Sequence, residues 1–158
     1  MKDNSGNMKL INIFRWMMED GYYPEYELKH IQFNIDDDTA VLEYYEDIIS
    51  VRVFFTIEEE AYDLFLEASN STMLETYAVK PAVLDNMTNL MFSCEFMCDN
   101  MQDFRRFFPR AINRIKEAVA AHKTEMKKLI LASEVASATI PATDESMTGI
   151  DIRRKVLS

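Results

Sequence analysis

The chain has 158 residues, 48% of them apolar, and a formal net charge of −10. That length suits one domain with one core, and the acidic balance repels phosphate backbones, which disfavours nucleic acid as a partner. No apolar run approaches the roughly 18 residues needed to cross a bilayer, and the polar start Met1-Lys2-Asp3-Asn4-Ser5 lacks a signal-peptide core, so a cytoplasmic protein is expected.

The charge is unevenly placed. Residues 1–99 hold 6 basic and 20 acidic side chains, whereas residues 100–131 hold 8 basic and 3 acidic. The basic segment is expected to lie against its own acidic domain or an acidic partner, or to be an ordinary solvated helix face.

In chain order, Met8 to Glu19 reads as a helix apolar on more than one face, through Leu10, Ile11, Ile13, Phe14, Trp16, Met17 and Met18. Gly21 is placed to end it, and Pro24 follows. Leu28 to Ile35 alternates like a strand with one buried face. Asp36-Asp37-Asp38 makes a turn. Thr39 to Tyr45 and Ile49 to Ile57 are β-branched and aromatic, with Glu46-Asp47 between them, so the three segments form an antiparallel meander. Thr56 and Glu59 fit a capping box for a second helix. Its inward stripe is predicted to be Ala61, Tyr62, Phe65, Leu66, Ser69 and Met73, and its end lies near Leu74 to Thr76. Tyr77 to Leu84 is extended, and Pro81 argues for a sheet edge. Leu90 to Cys98 alternates again, with Leu90, Phe92, Cys94, Phe96 and Cys98 on one face and Met91, Ser93, Glu95 and Met97 on the other.

Asn100 to Leu131 is the element around which the rest is arranged. Phe104, Phe107, Phe108, Ala111, Ile112, Ile115, Ala118, Val119, Met126, Leu129 and Ile130 recur at helical spacing. Asn100 is a candidate N-cap with Asp103 three residues on. Pro109 predicts a kink near Arg105 to Pro109, or a restart, because it removes a hydrogen bond. Residues 132–158 are expected to form a flexible tail in which Ile150, Ile152, Val156 and Leu157 regain some pattern.

The resulting fold class is α+β, an antiparallel sheet of about five strands packed by helices in the order α-β-β-β-α-β-β-α, with residues 1–131 as the single domain. Phe14 to Gly21, Phe33 to Ile57 and Leu90 to Val119 resemble the YbjN-like family and the wider type III secretion chaperone-like fold, over residues 8–131. The resemblance implies a small cytosolic protein, often a homodimer, that binds other polypeptides. It implies no common enzymatic activity. Pro109 and the tail depart from the pattern.

Reactive residues are few. On a strand, Cys94 and Cys98 share a face about 13 Å apart, too far to bond each other or share a metal. Two buried small hydrophobes is the simpler reading. His30 and His122 could each be paired with Cys94 on paper, but no oxyanion-hole glycine or orienting acid accompanies them. With Gly6, Gly21 and Gly149 the only glycines, no phosphate-cradling loop is available. The three consecutive aspartates lack the spacing of a calcium loop. Neither a cofactor nor a metal is expected.

Eleven methionines suggest adaptable apolar surface. The expected function is therefore a non-enzymatic, chaperone-like protein-binding module that holds apolar segments of a partner polypeptide and is itself a homodimer. Trp16, Met17, Met18, Met91, Met97, Phe107 and Phe108 are the candidate contact residues. A structural or regulatory homo-oligomer is the alternative, and a small thiol-dependent enzyme the weakest one.

Overall fold

Alternating apolar and polar side chains give this chain its strands, and residues at positive φ give it the turns between them. The structure, a computed structural model, describes residues 8–139. Helix α1 (Leu10–Glu19) ends at Gly21, whose φ of +83° suits glycine. Strands β1 (Glu25–Tyr26), β2 (Ile31–Ile35), β3 (Asp38–Tyr45) and β4 (Ile48–Thr56) follow. A 3₁₀ turn at Glu59–Ala61 leads into α2 (Tyr62–Glu75), then come β5 (Val79–Val83), β6 (Asn89–Met97) and α3 (Met101–Thr139). The six strands form one antiparallel sheet in the order β1-β2-β3-β4-β6-β5.

The class and the antiparallel sheet are as predicted. The sixth strand is the two-residue edge β1, which the sequence did not reveal. Leu28, read as the start of a strand, is instead 88% exposed in the turn between β1 and β2. There the Glu27 N–H donates to the His30 carbonyl at 2.9 Å. Asp36 and Glu46 sit at φ +52° and +56° in the two hairpins that follow. β5 pairs only with β6, so Pro81 lies on an edge strand as expected.

Strand alternation sorts the side chains by face. Ile31, Phe33, Ile35, Ala40, Leu42, Ile49, Val51, Val53, Leu90, Phe92 and Cys94 are buried on one face, in a single core with Ile13 and Met17 of α1 and Phe104, Phe108, Ile112 and Ile115 of α3. Burying a side chain of this size contributes about 1.5–3 kcal/mol. The α1–α3 seam is aromatic: Trp16 meets Phe104 edge-on at 5.4 Å and Phe108 edge-on at 5.9 Å.

The N-cap of α3 forms as predicted. Asn100 Oδ1 accepts from the Asp103 N–H at 2.8 Å, and its amide donates to the Asp103 carboxylate at 3.0 Å. The helix then runs through Pro109 without a restart, and continues to Thr139 rather than ending at Leu131. The apolar stripe also takes in His122 and Glu125, both buried. Two details of α2 differ from expectation. Thr56 is the last residue of β4 and caps nothing. The buried face is Ala61, Ala68, Ser69 and Thr72, whereas Leu66 and Met73 point outward. Small side chains let α2 approach α3 closely, and that contact sets its rotation. The pattern predicted at Ile150, Ile152, Val156 and Leu157 lies outside the described residues.

Candidate functional site

None of the described helices packs on the second face of the sheet. The residues out of phase with the core point there: Val41, Glu43 and Tyr45 from β3, Ile48, Ser50, Arg52 and Phe54 from β4, Met91, Ser93, Glu95 and Met97 from β6, and Lys80 and Ala82 from β5. At one end Tyr45 pairs across the strands with Ile48, and Ile48 with Met97. Tyr45 and Met97 are each 73% exposed and Ile48 is 41% exposed. With strands about 4.8 Å apart, this row spans roughly 10 Å. At the other end Phe54 pairs with Met91, and Met91 with Ala82. The two rows lie six positions apart along β4, about 20 Å.

A polar belt lies between them. Arg52 Nε donates to Ser50 Oγ at 3.0 Å, and its Nη2 stands 3.7 Å from Glu95 Oε1. Ser50 and Ser93 are buried although they face outward, and Ser93 stands directly across from Arg52 in the register. The face therefore offers two apolar patches joined by a strip that carries both signs of charge.

The seven predicted contact residues do not form one surface. Met91 and Met97 lie on this open face, one near each end. Met17 and Phe108 are fully buried in the core. Trp16 packs against Phe104, Phe108 and Tyr22. Phe107 rests on Phe96 beneath the Arg106 guanidinium. Met18 is exposed on α1, away from the others. Tyr45, Ile48 and Phe54 complete the open-face patches and were not predicted. For Ile48 and Phe54 the signal is the phase of β4, in which Ile48, Ser50, Arg52 and Phe54 alternate against Ile49, Val51, Val53 and Phe55.

The candidate reactive groups are differently placed. Cys94 and Cys98 are both buried and free, and burial pushes both thiols above their ordinary pKa. His122 stands 3.1 Å from Ser69 Oγ, and Ser69 donates to the Phe65 carbonyl at 2.7 Å. Which of the two groups donates in the Ser69–His122 contact follows the tautomer of the ring. His30 lies in the turn before β2, far in sequence from either cysteine. Among the described residues no cluster of three or more His, Cys, Asp or Glu could hold a metal. No described helix is long and apolar enough to cross a membrane.

No family model and no curated protein matches this chain. Solved structures do match it. YbjN from E. coli superposes with a TM-score of 0.62 at 12% identity, covering 77% of this chain and 94% of that one. An uncharacterized protein from Methanothermobacter thermautotrophicus gives 0.53 at 14% identity, over 75% and 96%. The fold is YbjN-like. Identities this low carry the architecture and nothing about chemistry. YbjN of E. coli is itself described as a candidate transcription regulator.

Proposed function

We propose that this chain is a cytoplasmic, non-enzymatic protein-binding module that holds apolar segments of a partner polypeptide in a chaperone-like way. The observation that carries the reading is the sheet face that no described helix covers, with Tyr45, Ile48 and Met97 exposed at one end and Phe54 exposed beside half-buried Met91 at the other. Exposed apolar rows on a rigid sheet gain free energy only when something covers them. The separation of the rows fits an extended segment with apolar residues about six positions apart. Arg52 and Glu95 between them can exchange their mutual contact for polar groups of the segment. The YbjN-like fold is compatible with a binding role.

A second copy of the chain is the other occupant that the surface favours. Arg52 and Lys80 balance Glu43 and Glu95 across the four strands that carry the patches, so the face does not repel itself and a two-fold contact is open to it. Ile48→Glu with Met97→Glu tests both readings, because each side chain is exposed and the fold should survive. Crosslinking in native lysate, with light scattering on the purified chain, is expected to show that the double variant loses a captured partner or the dimer. A double variant that keeps every crosslink and the wild-type mass would refute the role of this face.

A further inference from the structure

On the helix side of the sheet, the seam between α2, α3 and the ends of β4 and β6 holds an open-mouthed cavity of about 250 Å³. Phe55, Phe65, Leu90, Phe92, Met126 and Ile130 supply most of its wall. Its inner side is closed by His122, stacked on Phe65 and edge-on to Phe92. Because the buried face of α2 continues from Phe65 into Ala68, Ser69 and Thr72, that helix brings little further bulk to fill the space.

The mouth is cationic. Lys123 and Lys127 line the cavity and are exposed on the same stripe of α3, one turn apart. Neither joins an ion pair among the described residues, in contrast to Lys116, which holds Asp36 at 3.2 Å, and Lys128, which holds Glu125 at 3.1 Å. Like charges four apart on a helix repel. In a chain of net charge −10, two lysines with no ion-pair partner among the described residues, at the rim of an apolar cavity, are a local reversal of sign.

Size narrows the occupant. An apolar cavity of about 150 Å³ already takes up benzene, and this one, at about 250 Å³, is roughly two-thirds larger. A peptide segment of several residues exceeds it. We propose that the cavity binds an aliphatic carboxylate of about eight to ten carbons, with its chain among the aromatic and aliphatic walls and its carboxylate against Lys123 and Lys127. The apolar body is held by burial and the head by the two ammonium groups. This site lies on the opposite side of the sheet from the protein-binding face and stands or falls independently of it.

The test titrates decanoate into the full chain below its micelle-forming concentration, followed by calorimetry and by methyl NMR. Saturable binding is expected, with shifts at the Met126 and Ile130 methyl groups and none at Ile13. 1-Decanol should bind at least about fivefold more weakly, and Lys123→Gln with Lys127→Gln should weaken decanoate by about the same factor while leaving decanol unchanged. Both lysines are exposed, so the variant should fold. Absence of saturable binding, equal affinity for decanoate and decanol, or shifts at Met97 and Ile48 in place of Met126 and Ile130 would each overturn the proposal.

Discussion

Ser69 and His122 are 53 residues apart in the chain, yet Ser69 Oγ stands 3.1 Å from His122 Nε2 inside the core. The Ser69 hydroxyl also lies 2.7 Å from the Phe65 carbonyl, which accepts from it. Burial pushes the histidine below its ordinary pKa of 6.5, with the Phe65 carbonyl and Glu125 opposing in part. An unfolded chain protonates this ring near pH 6.5, the folded chain only at lower pH. Between those values the unfolded state binds more protons, so stability is complete above about pH 6.5 and falls as the pH drops through the folded pKa. His122→Gln is expected to remove that fall. Urea denaturation between about pH 7.5 and 5.5 should show the wild type weakening while the variant stays nearly level; parallel losses would place the proton uptake elsewhere. None of this was legible in the sequence, where His122 was a lone polar residue among apolar helix positions. Its partner is a serine that pattern reading had placed only as one member of an inward stripe.

Pro109 shows how packing overrides a local preference. Inside a helix it costs up to about 3 kcal/mol, yet α3 continues through it. Its missing N–H would have bonded the carbonyl of Arg105, on the exposed side of the helix, where water can serve that oxygen. Phe104 and Phe108 are fully buried on either side of this turn and stack at 5.1 Å, with Trp16 against both. Those contacts hold both halves of the helix on the same core. Pro109→Ala should therefore raise stability by about 1–2 kcal/mol, seen as a higher urea midpoint with an unchanged slope; a lower midpoint would mean that the proline ring itself packs usefully. The strands were legible because period-two alternation reports burial directly, as in Ile31 to Ile35 and Leu90 to Met97. The rotation of α2 was not, because close helix contact selects small residues. Ala68 and Thr72 face inward beside the expected Ser69, where counting hydrophobicity favours Leu66 and Met73. The open-face role of β4 was hidden for a related reason: Ile48-Ile49 and Phe54-Phe55 place apolar residues on both faces and blur the phase.

At the scale of the molecule, the central fact is a sheet with two different environments, and one pair of neighbours reports on both. Ile48 and Ile49 are consecutive in β4 and chemically identical, but Ile49 is fully buried beneath the helices while Ile48 is 41% exposed on the open face. Truncating Ile49 to alanine removes core contacts and leaves a cavity, an expected cost of about 2–5 kcal/mol. Truncating Ile48 removes side-chain contact with Tyr45 and Met97 and some strand preference, an expected cost of about 1 kcal/mol or less. The comparison also measures occupancy. If a second copy covers the open face in solution, Ile48→Ala should cost more as the protein concentration rises, since dissociation then contributes to unfolding. If the face waits for a different polypeptide, the cost should be small and independent of concentration, and should grow only when that partner is added. Chemical denaturation of both variants at two protein concentrations separates these cases. Equal, large and concentration-independent costs at the two positions would instead mean that the chain's own residues cover both faces, and the binding role proposed for Tyr45, Ile48 and Met97 would have no surface to act on.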